Sequence, residues 1–217
     1  GSLIFDLYKS PNFIKGIKTI DLFGGISISK YALFLTNSPN YNHNYEIVLF
    51  LMKALPSDIT LVVRLHPSFL HPIYKDRLNK HIKLAQNKNV VYSLPKLDKT
   101  VLPGDMSKSE IQKSASLVAN AHVVINMFST MILDCIITKR NIINIAFDWL
   151  KNDWSILKPS LAEYRLHISR VKNHKSMKYA RSKAELLDLI EQAFHQSSDS
   201  IYPNNYEKDK IKKECGP

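Results

Sequence analysis

VVINMFSTMILDCIITKRNIINIAFD, residues 123–148, is the stretch whose reading decides the fold. Its first three residues are an apolar run short enough for a strand buried on both faces. Asn126 to Ser129 is a turn, and a helix is predicted over 130–138. Ile142-Ile143-Asn144-Ile145 is the next strand. A helix that opens just past a strand presents free backbone N–H groups and the positive end of its dipole. Ser129 and Thr130 add two hydroxyls there, and Asn126 adds an amide at the strand end. Such a place can hold a phosphate. Ser and Thr also cap helices with no ligand in view, so a plain N-cap is the competing reading. Asp134 sits in an otherwise apolar helix. A carboxylate there needs a partner: a ligand hydroxyl, solvent, or Lys139 or Arg140.

Working outward, a second strand over 59–63 runs into Arg64-Leu65-His66-Pro67-Ser68. Arg64 emerges at the strand end, where a guanidinium can clamp a phosphate with two parallel donors. His66 precedes a proline and is therefore held extended. Its imidazole can donate to a phosphate or exchange a proton. The alternative is a structural Arg-His pair on a loop. Two strand ends carrying anion-friendly groups suggest one crevice at the edge of a parallel sheet.

The rest of the chain fits that sheet. Ala32-Leu33-Phe34-Leu35 reads as a buried strand, 45–55 as a helix stopped by Pro56, 73–86 as a basic amphipathic helix, and 89–92 as a strand. Helices are predicted over 107–120 and 182–195. Each opens on a capping box, Ser107 with Glu110 and Ser182 with Glu185. A last strand is read at 166–171 and a charged helix at 204–213. Strands separated by helices imply parallel pairing. The expectation is an α/β, doubly wound, Rossmann-like parallel sheet of about six strands flanked by helices, with its ligand beyond the carboxyl ends of the strands. Residues 1–29 read as an irregular lead-in, 30–200 as the Rossmann-like domain, and 201–217 as a charged tail. Gly1-Ser2 resembles an expression scar, and the chain is expected to be a piece of a longer protein.

Composition narrows the partners. Among 217 residues, 30 Lys and Arg face 19 Asp and Glu, a net charge of +11. That favours anions: nucleotides, nucleic acid, acidic glycans or an anionic membrane face. The positive residues are scattered, as on an ordinary solvated surface, with clusters at Lys139-Arg140, 170–181 and 208–213. Two cysteines, Cys135 in an apolar helix and Cys215 in the polar tail, give no disulfide framework. No apolar run approaches the ~20 residues of a membrane span. No histidine pair has zinc-protease spacing, and there is neither a Walker loop nor a Gly-x-Gly-x-x-Gly turn. A Gly-x-Ser-x-Gly elbow is missing too. ATPase, nicotinamide and serine-hydrolase chemistry are disfavoured, and no metal site is expected.

Arg64-x-His66-Pro67 after one strand, then Asn126-x-x-Ser129-Thr130-x-x-x-Asp134 after a later one, resembles the donor-binding half of GT-B glycosyltransferases. The likeness is to the bacterial surface- and capsular-polysaccharide enzymes and the CDP-polyol phosphotransferases related to them. It extends to the tail, through Tyr202-Pro203 and Glu214-Cys215-Gly216. One departure is Arg140-Asn141, where many relatives carry Lys-Pro. The resemblance implies that Arg64 and His66 face the nucleotide phosphates, with His66 as the catalytic group. It implies that Ser68, Asn126, Ser129 and Thr130 line the same site and that Asp134 serves the ribose or sugar side. No cofactor is implied beyond the substrate, a UDP-, GDP-, CDP- or CMP-linked sugar. A metal-independent mechanism is implied, in which dipoles and basic side chains stabilise the leaving nucleotide. The implied partners are a glycan acceptor and a preceding acceptor domain. The setting is cytoplasmic, with peripheral contact at the inner membrane face. Alone, the domain is expected to bind donor without turnover. The rivals are a CDP-polyol phosphotransferase domain, a sugar epimerase of the same architecture, and a basic nucleic-acid-binding module. No recognised nucleic-acid motif supports the last.

Overall fold

The computed structural model describes residues 30–41, 43–87, 89–96, 107–127, 129–152 and 173–195, with positions 8, 10, 12, 13, 22, 23, 28 and 171. Six strands form one sheet: β1 (Tyr31–Leu35), β2 (Thr60–Arg64), β3 (Val90–Ser93), β4 (Val123–Asn126), β5 (Ile142–Ile145) and β6 (Met177–Ala180). Their order is β3-β2-β1-β4-β5-β6, and every pairing is parallel. Among the described residues, the helices with both ends defined are α1 (Asn44–Ala54), α2 (Lys75–Leu84), α3 (Lys108–Asn120), α4 (Ile132–Ile137) and α5 (Lys183–His195). This is the α/β Rossmann-like sheet expected from the alternation of apolar runs and helical stretches.

Strand side chains alternate between two cores. Phe34, Val63, Ile125 and Ile143 meet α1 and α5 on one face. Leu33, Leu35, Val62 and Val124 meet α3 and α4 on the other. Burial on both faces explains why the strands are apolar throughout. Cys135 belongs to the second core and is fully buried. Burying some thirty large apolar side chains in two layers, at roughly 1.5–3 kcal/mol each, supplies the main stabilisation.

Several boundaries moved. The basic helix predicted over 73–86 begins only at Lys75. Two 3-10 turns, Pro67–Leu70 and Pro72–Tyr74, precede it, each started by a proline that holds the residue before it extended. The helix predicted over 130–138 shrinks to Ile132–Ile137. It ends with Lys139 at φ 58°, where the Arg140 N–H returns to the Cys135 carbonyl (2.8 Å) and the Lys139 N–H to Ile136 (3.1 Å). That is a left-handed C-terminal stop made by a lysine where glycine is usual. The sixth strand lies in a stretch read only as a basic cluster. Met177 and Ala180 are buried there and Lys178 is exposed. The predicted strand 166–171 lies outside the described residues except Val171, which is in a turn. The predicted helix 204–213 lies outside them altogether.

Both expected capping serines act. Ser182 Oγ accepts from the Glu185 N–H at 3.1 Å, and the Glu185 carboxylate accepts from the Arg181 N–H at 2.7 Å. Ser107 Oγ accepts from the Glu110 N–H at 3.3 Å. The Glu110 side chain does not return to the cap; it is buried and paired with Arg64.

Candidate functional site

The order of strands reverses between β1 and β4, so the ligand crevice of such a sheet lies beyond their carboxyl ends. The loop after β1 is built before any ligand arrives. Asn44 Oδ1 accepts from the Asn37 N–H at 3.0 Å. Its Nδ2 donates to the carbonyls of Asn37, Ser38 and Tyr41 at 3.2, 3.3 and 3.1 Å. On the outer side Tyr74 OH donates to Asn40 Oδ1 at 2.6 Å, and Arg77 donates to the Pro39 carbonyl.

The end of β2 is stitched to that loop. Thr36 donates its N–H to the Arg64 carbonyl at 3.0 Å, and Thr36 Oγ1 accepts the His66 N–H at 2.9 Å. His66 is half-buried and extended, at φ −63° and ψ 140°. Its Nδ1 accepts from the Ser68 N–H at 3.2 Å, so the neutral ring carries its proton on Nε2. Burial lowers the His66 pKa below its ordinary value. A neutral imidazole with Nε2–H as donor is therefore the resting state. Ser68 lies in the 3-10 turn, its backbone N–H held by His66.

Arg64 is only 5% exposed and turns toward α3. It is paired with the carboxylate of Glu110 and donates to Ser93 Oγ and Ser114 Oγ, each at 3.0 Å. Its charge is neutralised inside the fold, and both terminal nitrogens have protein partners. This is the structural alternative noted above, with Glu110 rather than His66 as the partner.

Arg64 belongs to a row that crosses the sheet at one level. Ser93, Arg64, Leu35, Asn126 and Asn144 are successive partners on β3, β2, β1, β4 and β5. Parallel partners in register point to the same face, so the row lies on the α3–α4 side. Asn126 and Asn144 are fully buried, and among the described residues neither the oxygen nor the nitrogen of either amide has a hydrogen-bond partner.

Beyond Asn126 comes the turn into α4. Ser129 Oγ accepts from the Met131 N–H at 3.3 Å, and the Ser129 and Thr130 carbonyls accept from Ile132 and Leu133, each at 3.1 Å. Ser129 is half-buried and Thr130 exposed. Asp134 stands apart. Its Oδ1 accepts from Tyr8 OH at 2.7 Å, and burial raises its pKa to about 6. The partner this carboxylate needed is thus a tyrosine of the N-terminal segment, which the sequence reading did not anticipate.

The structure brings His66, Ser68, Asn126, Ser129 and Thr130 to one edge of the sheet, on strands flanking β1. Thr36, Asn44, Glu110 and Asn144 were missed. Asn144 had a signal, since a single amide interrupts the run Ile142-Ile143-Ile145. Glu110 had none, being read as half of a cap. Among the described residues, no group of three or more His, Cys, Asp or Glu side chains stands together as a metal site. An open cavity of about 500 Å³ lies at the opposite end of the sheet, bordered by Lys30, Pro56, Asp58, Leu187 and Phe194. None of the predicted site residues lines it.

The sheet and its switch point define the class: a Rossmann-like α/β domain. Two solved structures resemble it. An Anabaena protein, Alr3699/HepE, crystallised in complex with UDP and glucose, is 10% identical, with a TM-score of 0.54 over 99% of this chain and 51% of that one. The UDP-GlcNAc 2-epimerase of Methanocaldococcus jannaschii, in complex with UDP-GlcNAc and UDP, is 16% identical, with a TM-score of 0.51 over 97% of this chain and 49% of that one. At such identities the likeness is one of fold. The chain spans about half the length of each of these two structures. No protein-family model matches the sequence, and no curated protein matches it.

Proposed function

We propose that this chain is the donor-binding half of a glycosyltransferase that moves a sugar from a nucleotide-sugar to a glycan acceptor. The observation that carries the reading is the convergence at one switch point. His66, held against Thr36 of the β1 loop, and the Ser129–Thr130 turn leave the sheet from the two strands that flank β1. The fold likeness to two proteins solved with UDP supports the ligand class.

In the reaction an acceptor hydroxyl oxygen bonds to the anomeric carbon. The bond from that carbon to the diphosphate oxygen breaks, and the electron pair stays with the nucleoside diphosphate. The acceptor proton passes to a base contributed from outside this chain. The Nε2–H of His66 donates to the diphosphate as its charge grows, and the hydroxyls and free N–H groups at Ser129 and Thr130 hold it. Preorganised donors of this kind contribute more as charge develops than in the ground state. Ser68 fixes the His66 tautomer through its backbone N–H, while Asn126, buried at the end of β4, and Asp134, engaged by Tyr8, take no part in holding the diphosphate. Arg64 holds the end of β2 in place through Glu110.

Calorimetric titration of UDP, CDP, GDP and CMP, with a random DNA oligonucleotide as control, tests the reading. One nucleotide should bind saturably, and His66→Ala should weaken it roughly ten-fold, about 1.4 kcal/mol. A preference for CDP would move the assignment to the CDP-polyol phosphotransferases. No nucleotide binding, with salt-sensitive DNA binding instead, would overturn it.

A further inference from the structure

Helix α2 packs at the β3 edge of the sheet. Its inner side carries His81, 2% exposed, whose ring stands edge-on to Phe69, Tyr92 and Tyr45 at 5.2, 5.6 and 5.7 Å. Leu78 and Leu84 pack on the same core. The opposite side follows the helical repeat through Lys75, Asn79, Ile82 and Lys83, all exposed, with exposed Lys80 beside them. Ile82 is 48% exposed, and Ile73, in the 3-10 turn just before the helix, is 75% exposed. Ile73 is the most exposed large apolar side chain among the described residues. Asp76 is the helix's one acid, and no ion pair among the described residues engages Lys75, Lys80 or Lys83.

Two protruding isoleucines amid unpaired ammonium groups suit a partner with an anionic skin and an apolar interior. We propose that this face of α2, Ile73 and Ile82 with Lys75, Lys80 and Lys83, docks on the anionic surface of a lipid bilayer. A bilayer takes the aliphatic side chains into the headgroup boundary and attracts the lysines by its surface potential. Nucleic acid would reward the lysines alone. It would also want a run of exposed rings for its bases; Tyr74 is half-buried, hydrogen-bonded to Asn40 and covered by Arg77, which leaves His71 as the exposed ring beside this face. The docked face begins one short loop after His66, so it holds the strand-end crevice close to the bilayer. The proposal stands independently of the donor-binding reading.

Sedimentation with vesicles tests it, using phosphatidylcholine mixed with phosphatidylglycerol against phosphatidylcholine alone. The chain should bind the mixed vesicles and leave the neutral ones, and added salt should weaken it. Lys75→Glu with Lys83→Glu should reduce binding at least ten-fold, since each lysine near an anionic surface contributes about five-fold. Ile73→Ser with Ile82→Ser should reduce it at unchanged net charge. Lys53→Glu with Lys178→Glu, exposed positions elsewhere, makes the same charge change and should retain most of the binding. All six sites are on the surface, and thermal unfolding verifies that each variant folds. Binding equally impaired by both charge pairs would overturn the proposal, because the overall +11 would then be the cause. So would no binding to either vesicle, or a tighter grip on DNA that the isoleucine substitutions leave intact.

Discussion

Asn126 and Asn144 stand side by side on β4 and β5, in register and fully buried, and neither amide has a hydrogen-bond partner among the described residues. An unpartnered buried amide costs about 1–3 kcal/mol. Replacing both by apolar groups of similar size removes that cost. Asn126→Leu with Asn144→Leu should therefore be at least as stable as the parent in urea unfolding. A loss beyond about 2 kcal/mol would show that the amides are satisfied in solution, by a bridging water.

The Arg64–Glu110 pair behaves in the opposite way. Its charges are 5% and 3% exposed, and each satisfies the other. Glu110→Ala strands a buried guanidinium and should cost about 3–5 kcal/mol. Arg64→Met combined with Glu110→Leu should recover much of that loss. A double-mutant cycle measures the coupling. A Glu110→Ala protein as stable as the parent would refute the staple role.

His66 makes the candidate site sensitive to pH. Burial favours its neutral form, so its pKa in the free protein lies below 6.5. A bound phosphate favours the charged form, so binding takes up a proton. Affinity should rise as pH falls from 7.5 toward that pKa and level off below it. Nucleotide titrations across this range should show the rise in the parent and its loss in His66→Ala. An equal rise in the variant would assign it to another group.

Two buried groups push the acid stability of the fold in opposite directions. Burial lowers the His81 pKa from 6.5 to about 4, so the unfolded chain holds the extra proton between these values and stability rises with pH there. Burial raises the Asp134 pKa from 3.8 to about 6, so the folded chain holds the extra proton and stability falls with pH over nearly the same window. At about 1.4 kcal/mol per pH unit the two trends are each worth roughly 3 kcal/mol and largely cancel. The parent should thus be almost flat from these groups between pH 4 and 6. Asp134→Asn, whose amide oxygen still accepts from Tyr8, should expose the rise due to His81. His81→Phe should expose the fall due to Asp134. Urea midpoints across the window, unchanged in slope by either substitution, would contradict both shifts.

The sheet was legible because its strands announce themselves. Ala32 to Leu35 and Val123 to Ile125 are apolar on both faces, as is Ile142 to Ile145 apart from Asn144, and only a sheet covered on both sides buries such runs. Met177–Ala180 was not legible, because an exposed lysine among four residues reads as surface when the neighbouring strand is unknown. The capping serines were readable from spacing, since Ser107 and Ser182 act within one turn. Glu110 was misread for the same reason: the local rule gave it a cap to close, and a guanidinium from β2, 46 residues away, claimed it.

The sequence by itself determined the class of fold, the strands that end in polar residues, and the positive balance of charge. These follow from composition and from periods of two and 3.6, which are local. Tertiary structure alone decided what the polar residues do. The β2–β1–β4 order put His66 and Ser129 at one switch point, turned Arg64 inward to Glu110, gave Asp134 to Tyr8, and set Asn144 beside Asn126. Side-chain partners of this kind lie far apart along the chain, and only packing brings them together.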